Sequence, residues 1–340
     1  MRSKKKKFNF LINFIVIFVV LCIVLYFSLR DNYDEIVSAI INMNKLYVLV
    51  AILVLFVYRF LLSCSHYFII KINNEMIPLL RCYVIGFIIL FIHGVTPFSG
   101  GGQPMEVYLL HKEKIGVTKS TNITLQNFII YQIALVIVGI FALLCNSIFG
   151  LFPSDSLIKK LVVLGFMVNL LVLVVSFVLS FGKKVNRIIC VKGISLLSRL
   201  GIIKNREKIE QDFNGYLDNF HKNAVKLRKN KRLVVGCVLI DIFAILVLYS
   251  MPYFLGIGFG LKLSLIEVMV ATSYVMIIGA FVPIPGGTGG IEYGFMFFFK
   301  YLISGSVLNG LMLVWRFVSY YFGIIVGAIA LAIYGKKERR

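Results

Sequence analysis

Acidic residues are scarce in this chain, which has 15 Asp and Glu against 36 Lys and Arg and a formal net charge of +21 at pH 7. Proline and tryptophan are also rare, with 7 Pro and 1 Trp in 340 residues. The 6 cysteines are scattered without a Cys-x-x-Cys pair, and the 4 histidines lie far apart. These absences argue against a zinc or disulfide framework, so we expect a reduced, metal-free protein without a cofactor.

Apolar residues dominate what is present. They make up 59% of the chain, and the mean hydropathy is +0.92. A soluble domain of this size does not carry so much apolar sequence, so the composition predicts an all-α polytopic membrane protein. The positive charges concentrate at the two ends and in one central loop, which is typical of topology signals rather than nucleic-acid binding. We therefore expect membrane phospholipid, and no nucleic acid, as the partner.

Apolar runs long enough to span a bilayer occur at about 8–28, 46–70, 122–149, 157–180, 233–256 and 306–334. The first run follows a Lys-rich N-terminus, but it is long for a signal peptide and no cleavage site follows it, so it predicts an uncleaved helix. Two further stretches, 82–111 and 264–303, are apolar but interrupted by Pro and Gly. The sequence thus predicts one membrane domain, 1–340, with six full-length transmembrane helices and two broken stretches.

The basic flanks give the orientation. They place the N- and C-termini in the cytoplasm, together with loop 181–232, which is rich in Lys and Arg. Counting membrane crossings from that loop places both ends of stretch 82–111 on the cytoplasmic side and both ends of stretch 264–303 on the outer side. Both stretches are therefore predicted to be re-entrant helical hairpins. The apolar spacing of residues 209–227 predicts an amphipathic helix in the basic loop. It would lie on the headgroups or pack on the bundle.

The two broken stretches share a motif. "PFSGGGQPME" (97–106) and "PIPGGTGGIE" (283–292) both fit P-x-[SP]-G-G-[GT]-x-x-x-E. Two copies that enter from opposite sides predict an inverted repeat with its site at the repeat interface. The candidate lipid- and phosphate-binding residues are Pro97, Gly100, Gly101, Gly102, Glu106, Pro283, Gly286, Gly287, Gly289, Gly290 and Glu292, with Arg59 and Arg316.

The glycines and prolines of the motif suggest how an anion could be held. Glycine allows a positive φ and a close approach of the backbone to a ligand. Pro104 suits the first position of a new helix, whose free amides would bind an anion such as a phosphate. Glu106 fits either a transport role or a simple capping role at the third helical position. The alternative for the glycines is that they only permit close helix packing.

Charged residues inside apolar runs need partners, because a charge at membrane depth is costly. Arg59 and Arg316 are the natural partners of Glu106, Glu292 or Asp241, or of a lipid phosphate. Asp241 itself, like Lys300, lies nearer a helix end in the predicted topology, where an interfacial position is expected.

The stretches "TPFSGGGQPME" and "VPIPGGTGGIEYGF", the helix count and the basic central loop resemble one family. It is the membrane domain of lysylphosphatidylglycerol synthase/flippase proteins (the MprF-type, UPF0104/YbhN-like family). The resemblance implies lipid translocation between leaflets of the bacterial cytoplasmic (inner) membrane, resistance to cationic antimicrobial peptides, and a separate lipid synthase as a partner. The chain stops shortly after its last apolar run, so lysyltransferase activity is not expected here.

Two other classes of function stay open. One is a lipid-modifying enzyme, either a phosphatidylglycerol lysyltransferase or a polyprenyl-phosphate glycosyltransferase, for which only "DNYDE" (31–35) offers external acids. The other is an ion-coupled solute transporter, because inverted broken helices suit that role equally well. The sequence contains no GxxxxGK[ST] loop, so ATP hydrolysis is not expected.

Overall fold

The structure, a computed structural model, describes residues 33–97, 100–152, 157–182, 230–280 and 282–337. The predicted helix at 8–28 and nearly all of the basic loop 181–232 lie outside these residues. Every regular element within them is helical, which confirms the all-α prediction. The α-helices, in chain order, are α1 (Tyr33–Asn42), α2 (Leu46–Ile72), α3 (Leu79–Val95), α4 (Gly102–Lys112), α5 (Val117–Phe149), α6 (Leu157–Phe181), α7 (Lys231–Tyr249), α8 (Met251–Gly258), α9 (Leu265–Gly279), α10 (Gly290–Phe299), α11 (Ser306–Arg316) and α12 (Gly323–Lys337).

Five apolar segments of the described chain are long enough to cross a membrane. They are Leu46–Ile72, Val117–Phe149, Lys160–Val178, Lys231–Gly258 and Ser306–Gly335. These segments coincide with five of the six predicted runs, and the sixth run, 8–28, lies in the part not described. Many large apolar side chains of α6 are exposed, among them Leu171 at 61%. Such exposure suits a helix surrounded by lipid rather than water.

The first broken stretch folds back on itself as a helical hairpin. Helix α3 has 17 residues and α4 has 11, so they are about 26 and 17 Å long, and each is shorter than a hydrocarbon core of about 30 Å. Gly102, at the start of α4, lies against the ring of His93 near the end of α3. A Cβ at position 102 would overlap that ring, so glycine allows the two arms to approach closely.

The second broken stretch is a hairpin of the same kind. Helix α9 has 15 residues and α10 has 10, which makes them about 23 and 15 Å long. Gly279 lies against Ile291, and Gly294, farther along α10, faces Val275, earlier in α9. This order of contacts shows that the two arms are antiparallel. The Pro283–Gly290 segment forms the bend between them.

The bases of the two hairpins lie at opposite ends of the bundle. At one end, which we call the basic end, Arg81 of α3 pairs with Glu113 after α4 at 2.6 Å. The hydroxyl of Tyr334, near the end of α12, donates to the same carboxylate. At the other end the ring of Phe152, after α5, meets that of Tyr301, after α10. The side of the membrane that each end faces, and hence re-entrant insertion, stays a prediction.

Aromatic packing fixes the second hairpin to the last membrane segment. The rings of Phe295 and Phe299 on α10 stack at 3.9 Å, and Phe295 also stacks on Trp315 of α11 at 4.8 Å. All three side chains are fully buried. Burying each large side chain is worth about 1.5–3 kcal/mol, so α10 and α11 form one rigid unit. The next residue after Trp315 is Arg316, whose position is thereby fixed.

Candidate functional site

Tyr320 connects the two broken hairpins. It lies in a π-helical segment, Phe317–Phe322, between α11 and α12. Its hydroxyl donates a 2.7 Å hydrogen bond to the carbonyl of Gly94, at the end of α3. Its ring lies against Gly286 in the bend of the second hairpin. One side chain therefore contacts both breaks, and π-helical turns occur frequently at functional sites.

The second break has the backbone that its glycines predict. Gly286, Gly287 and Gly289 have φ values of 66°, 64° and 90°. L-residues rarely adopt such values. A Cβ at position 286 would also overlap the ring of Tyr320. The glycine is therefore required at this position both for the turn and for the contact.

Arg316 is held by the second break. Its Nε donates to Oε1 of Glu292 at 2.6 Å, and its Nη2 donates to the carbonyl of Gly286 at 2.6 Å. Arg316 and Glu292 are each only 5% exposed. The sequence left the partner of Arg316 open among three carboxylates, and the structure assigns Glu292. The guanidinium also stacks over the ring of Tyr320 at 4.2 Å.

Glu292 also caps α10. Its Oε2 accepts a 2.6 Å hydrogen bond from the amide of Gly289, and it occupies the third position of the helix. The sequence left Glu106 either this capping role at the third position or a transport role, and the structure does not place Glu106 at that position. Helix α4 begins at Gly102, so Glu106 is its fifth residue, and Pro104 is third rather than first. The two motifs align in sequence, but the helix starts two residues earlier in the first motif than in the second.

The carboxylate of the first break has a different partner. Glu106 Oε1 lies 3.0 Å from His66 Nε2 on α2, and both side chains are buried. Although these two atoms are close, His66 Nε2 makes no hydrogen bond with a described residue. The amide of Asn127 on α5 donates to the same oxygen at 3.4 Å. Sequence analysis missed His66, although a histidine in the middle of an apolar run was the available signal.

Two predictions about buried charges have different outcomes. Arg59 contacts no carboxylate among the described residues, and its Nη2 donates to the carbonyl of Gly86 on α3; a lipid phosphate as its partner stays a prediction. The interfacial position predicted for Asp241 was wrong, because Asp241 lies in the middle of α7 and is 1% exposed. Both outcomes have the same cause. The sequence reports that a charge lies in an apolar run but not which helix faces it.

Four amides of the two breaks are used within the protein. Gly100 donates to the carbonyl of Pro97 and Gly101 to the hydroxyl of Thr96. Gly287 donates to Ile284, and Gly289 donates to Glu292. These four amides are therefore not free to hold a phosphate, and anion binding by the amides that follow Gly102 stays a prediction. The cationic group available at this place is the guanidinium of Arg316.

A cavity of about 940 Å³ separates the two breaks. Its lining includes Gly100 from the first motif, Gly286 and Gly287 from the second, and Arg316. The other predicted site residues do not line it; they are Pro97, Gly101, Gly102, Glu106, Pro283, Gly289, Gly290, Glu292 and Arg59. Further polar lining groups are His93, Gln103, Thr124, Gln132, Ser319 and Tyr320. These polar residues share no motif, because four different helical segments supply them.

Residues 12–327 match the family model described as the lysylphosphatidylglycerol synthase TM region. The chain belongs to this family. It is also 24% identical over 314 residues to a UPF0104 membrane protein of Methanothermobacter thermautotrophicus, a match that covers 88% of this chain and 89% of the relative. A second UPF0104 membrane protein, from Methanocaldococcus jannaschii, is 27% identical over 318 residues, with 88% of each chain covered. The protein is thus a multi-pass membrane protein of the lysylphosphatidylglycerol synthase TM family.

Proposed function

We propose that this member of the lysylphosphatidylglycerol synthase TM family moves a phospholipid between membrane leaflets. The observation that carries the proposal is the single cavity of about 940 Å³ that both broken hairpins and Arg316 line. Ligand cavities of about 300–1,000 Å³ are common in proteins. This volume accommodates a lipid headgroup together with part of its acyl chains.

The chemistry of the cavity wall suits a lipid better than a small polar solute. Helices α5 and α6 contribute apolar side chains, among them Leu125, Phe128, Phe166 and Val172. Arg316 lines the same cavity. A guanidinium binds a phosphate strongly, and apolar walls solvate acyl chains without cost. The cavity therefore offers both halves of a phospholipid a suitable environment.

The proposed orientation places the basic end of the bundle in the cytoplasm, together with both chain termini, as the positive-inside rule expects. The membrane is then the cytoplasmic membrane. The first hairpin would enter from the cytoplasmic side and the second from the outer side, so the cavity between their tips would lie near the midplane, as in inverted-repeat transporters. Lipid would move down its own gradient or with the membrane potential.

Proteoliposomes test the proposal. Acyl-labelled phosphatidylglycerol in the inner leaflet should become accessible to a membrane-impermeant quencher faster when the purified protein is present. Val172→Trp should slow this movement because the indole fills the cavity. Leu171→Trp is the matched control, since Leu171 is its neighbour but is 61% exposed. Equal rates with and without the protein, or equal rates for the two variants, would contradict the proposal.

A second variant tests the anion site. Arg316→Gln should slow movement of phosphatidylglycerol about tenfold to a hundredfold, since a hydrogen bond to a charged group is worth about 1.5–3 kcal/mol. Arg232→Gln is the control, because Arg232 is exposed at the start of α7 and does not line the cavity. The same loss in both variants would show that the effect is general rather than local.

A further inference from the structure

We infer that the headgroup taken up by this cavity carries a phosphate and hydroxyl groups but no amine. The inference rests on the proposed lipid transport and names the class of lipid. It departs from an aminoacylated cargo such as lysylphosphatidylglycerol. Three features of the cavity carry it: the sign of its charge, the state of the neighbouring carboxylates, and the unpartnered polar groups in its wall.

The described part of the cavity wall presents a guanidinium, itself paired with Glu292, but no carboxylate. Arg316 is the single Arg or Lys among the described lining residues, and these residues include no Asp or Glu. Both oxygens of Glu292 are already engaged, one by Arg316 and one by the amide of Gly289. Glu106 is paired with His66 and does not line the cavity. The described wall therefore offers no carboxylate to a cationic headgroup.

An ammonium group is poorly served by such a wall. A desolvated charge needs an opposite charge beside it, and like charges placed together cost several kcal/mol. An aromatic face could substitute for a carboxylate, but Arg316 already covers the ring of Tyr320. The rings of Phe128, Phe166 and Tyr249 also line the cavity, but a cation–π contact is worth about 0.5–2 kcal/mol, which is less than the several kcal/mol that desolvation of a charge costs. A cationic headgroup would thus recover only part of the hydration that it loses.

Hydroxyl-bearing headgroups fit the remaining groups of the wall. The hydroxyls of Thr124 and Ser319 are buried and have no hydrogen-bond partner. Gln132, which is 6% exposed, makes no hydrogen bond with any described residue. Hydroxyl and amide groups both donate and accept, so a glycerol, inositol or sugar headgroup could satisfy all three side chains. Nη1 of Arg316 makes no hydrogen bond in the described part of the chain, which leaves it free for the phosphate.

Two lipids with identical labelled acyl chains test the inference in proteoliposomes: phosphatidylglycerol and lysylphosphatidylglycerol. We expect phosphatidylglycerol to move about tenfold faster or more, because an unpaired buried cation costs more than 1.4 kcal/mol. Equal or faster movement of the lysyl lipid would overturn the inference and leave lipid transport standing. Movement of neither lipid would overturn the proposed function itself.

The same phosphate-and-hydroxyl chemistry occurs in soluble molecules, so a third measurement separates the two sources. Uptake of radiolabelled glycerol phosphate is measured in the same proteoliposomes. We expect none above protein-free vesicles. Uptake of glycerol phosphate without movement of either lipid would overturn the assignment of the cargo as a lipid.

A charge substitution gives the inference a positive test. Gln103 lines the cavity in the first turn of α4, where a carboxylate is tolerated because of the helix dipole. Gln103→Glu should shift the rate ratio of the two lipids about tenfold toward the lysyl lipid. Asn309→Asp is the matched control, since it adds an acid near the start of α11 and outside the cavity. An unchanged ratio in folded Gln103→Glu protein, or the same shift in both variants, would contradict the inference.

Discussion

The buried pair of Arg316 and Glu292 makes a quantitative prediction about stability. Arg316→Met removes the cation and leaves Glu292, which is 5% exposed, with the single hydrogen bond from the amide of Gly289. Removing one partner of a buried ion pair costs about 3–5 kcal/mol, because the other charge stays buried without compensation. We expect a loss of this size in the free energy of unfolding. Glu292→Gln should cost a similar amount, since Arg316 then loses its carboxylate.

The double variant Glu292→Gln/Arg316→Met separates the pair from other effects. It leaves no buried charge at this pair, so we expect it to be more stable than either single variant. Arg59→Met is the control. Arg59 is also buried, but its described contact is the carbonyl of Gly86 rather than a carboxylate. Its loss should cost less than that of Arg316, about 1.5–3 kcal/mol, which is the value of one hydrogen bond to a charged group.

Trp315 provides the assay. It is the single tryptophan of the chain, it is 1% exposed, and it precedes Arg316 directly. The protein in detergent micelles is titrated with a denaturing detergent. Tryptophan fluorescence should report the opening of the interface between α10 and α11, and circular dichroism measures global unfolding. Additive losses in the double variant would refute the reasoning, because independent sites add and coupled ones do not. An equal loss in Arg59→Met would refute it as well.

The remaining predictions concern the backbone of the breaks. Gly286→Ala should destabilise the protein by about 2–4 kcal/mol, because the new side chain requires a left-handed φ of 66° and would overlap the ring of Tyr320. The control is Gly236→Ala, whose added Cβ would meet nothing within 4 Å. This control should raise stability by up to about 1 kcal/mol. Thermal unfolding of the purified variants measures both, and similar melting temperatures would contradict the prediction. Tyr320→Phe keeps the ring but loses the hydrogen bond to Gly94, so we expect a loss of about 1 kcal/mol and a changed rate of lipid movement in proteoliposomes. An unchanged melting temperature and an unchanged rate of lipid movement would show that this hydrogen bond contributes to neither stability nor transport.

Composition and hydropathy were sufficient for the class of fold. Runs of about 20 apolar residues have few alternatives to a membrane helix, and five of the predicted runs are helices of spanning length. The two glycine-rich breaks were also visible, since Gly286, Gly287 and Gly289 take up the positive φ values that their residue type allows. These features depend on the chain's local sequence.

The site was only partly predictable. Arg316 was found because a charge in an apolar run stands out, and its hydrogen bonds to Glu292 and Gly286 show that it lies beside the second motif. The partner of Glu106, however, is His66, which comes from a helix 40 positions earlier in the chain. Nothing in either segment indicates the other. The unpartnered Thr124 and Gln132 were missed because a single polar residue in a long apolar helix can bond to its own backbone, to another helix or to a ligand. The sequence does not distinguish these cases.

By itself the sequence determined that the chain is an all-α membrane protein and where its helices break. Hydropathy and glycine content act over a few residues, so they can be read directly along the chain. The tertiary structure decided which charge pairs with which, and that the wall between the hairpins carries Arg316 but no described carboxylate. Those properties depend on which helices are neighbours. Packing between distant segments sets that arrangement, and no single segment encodes it.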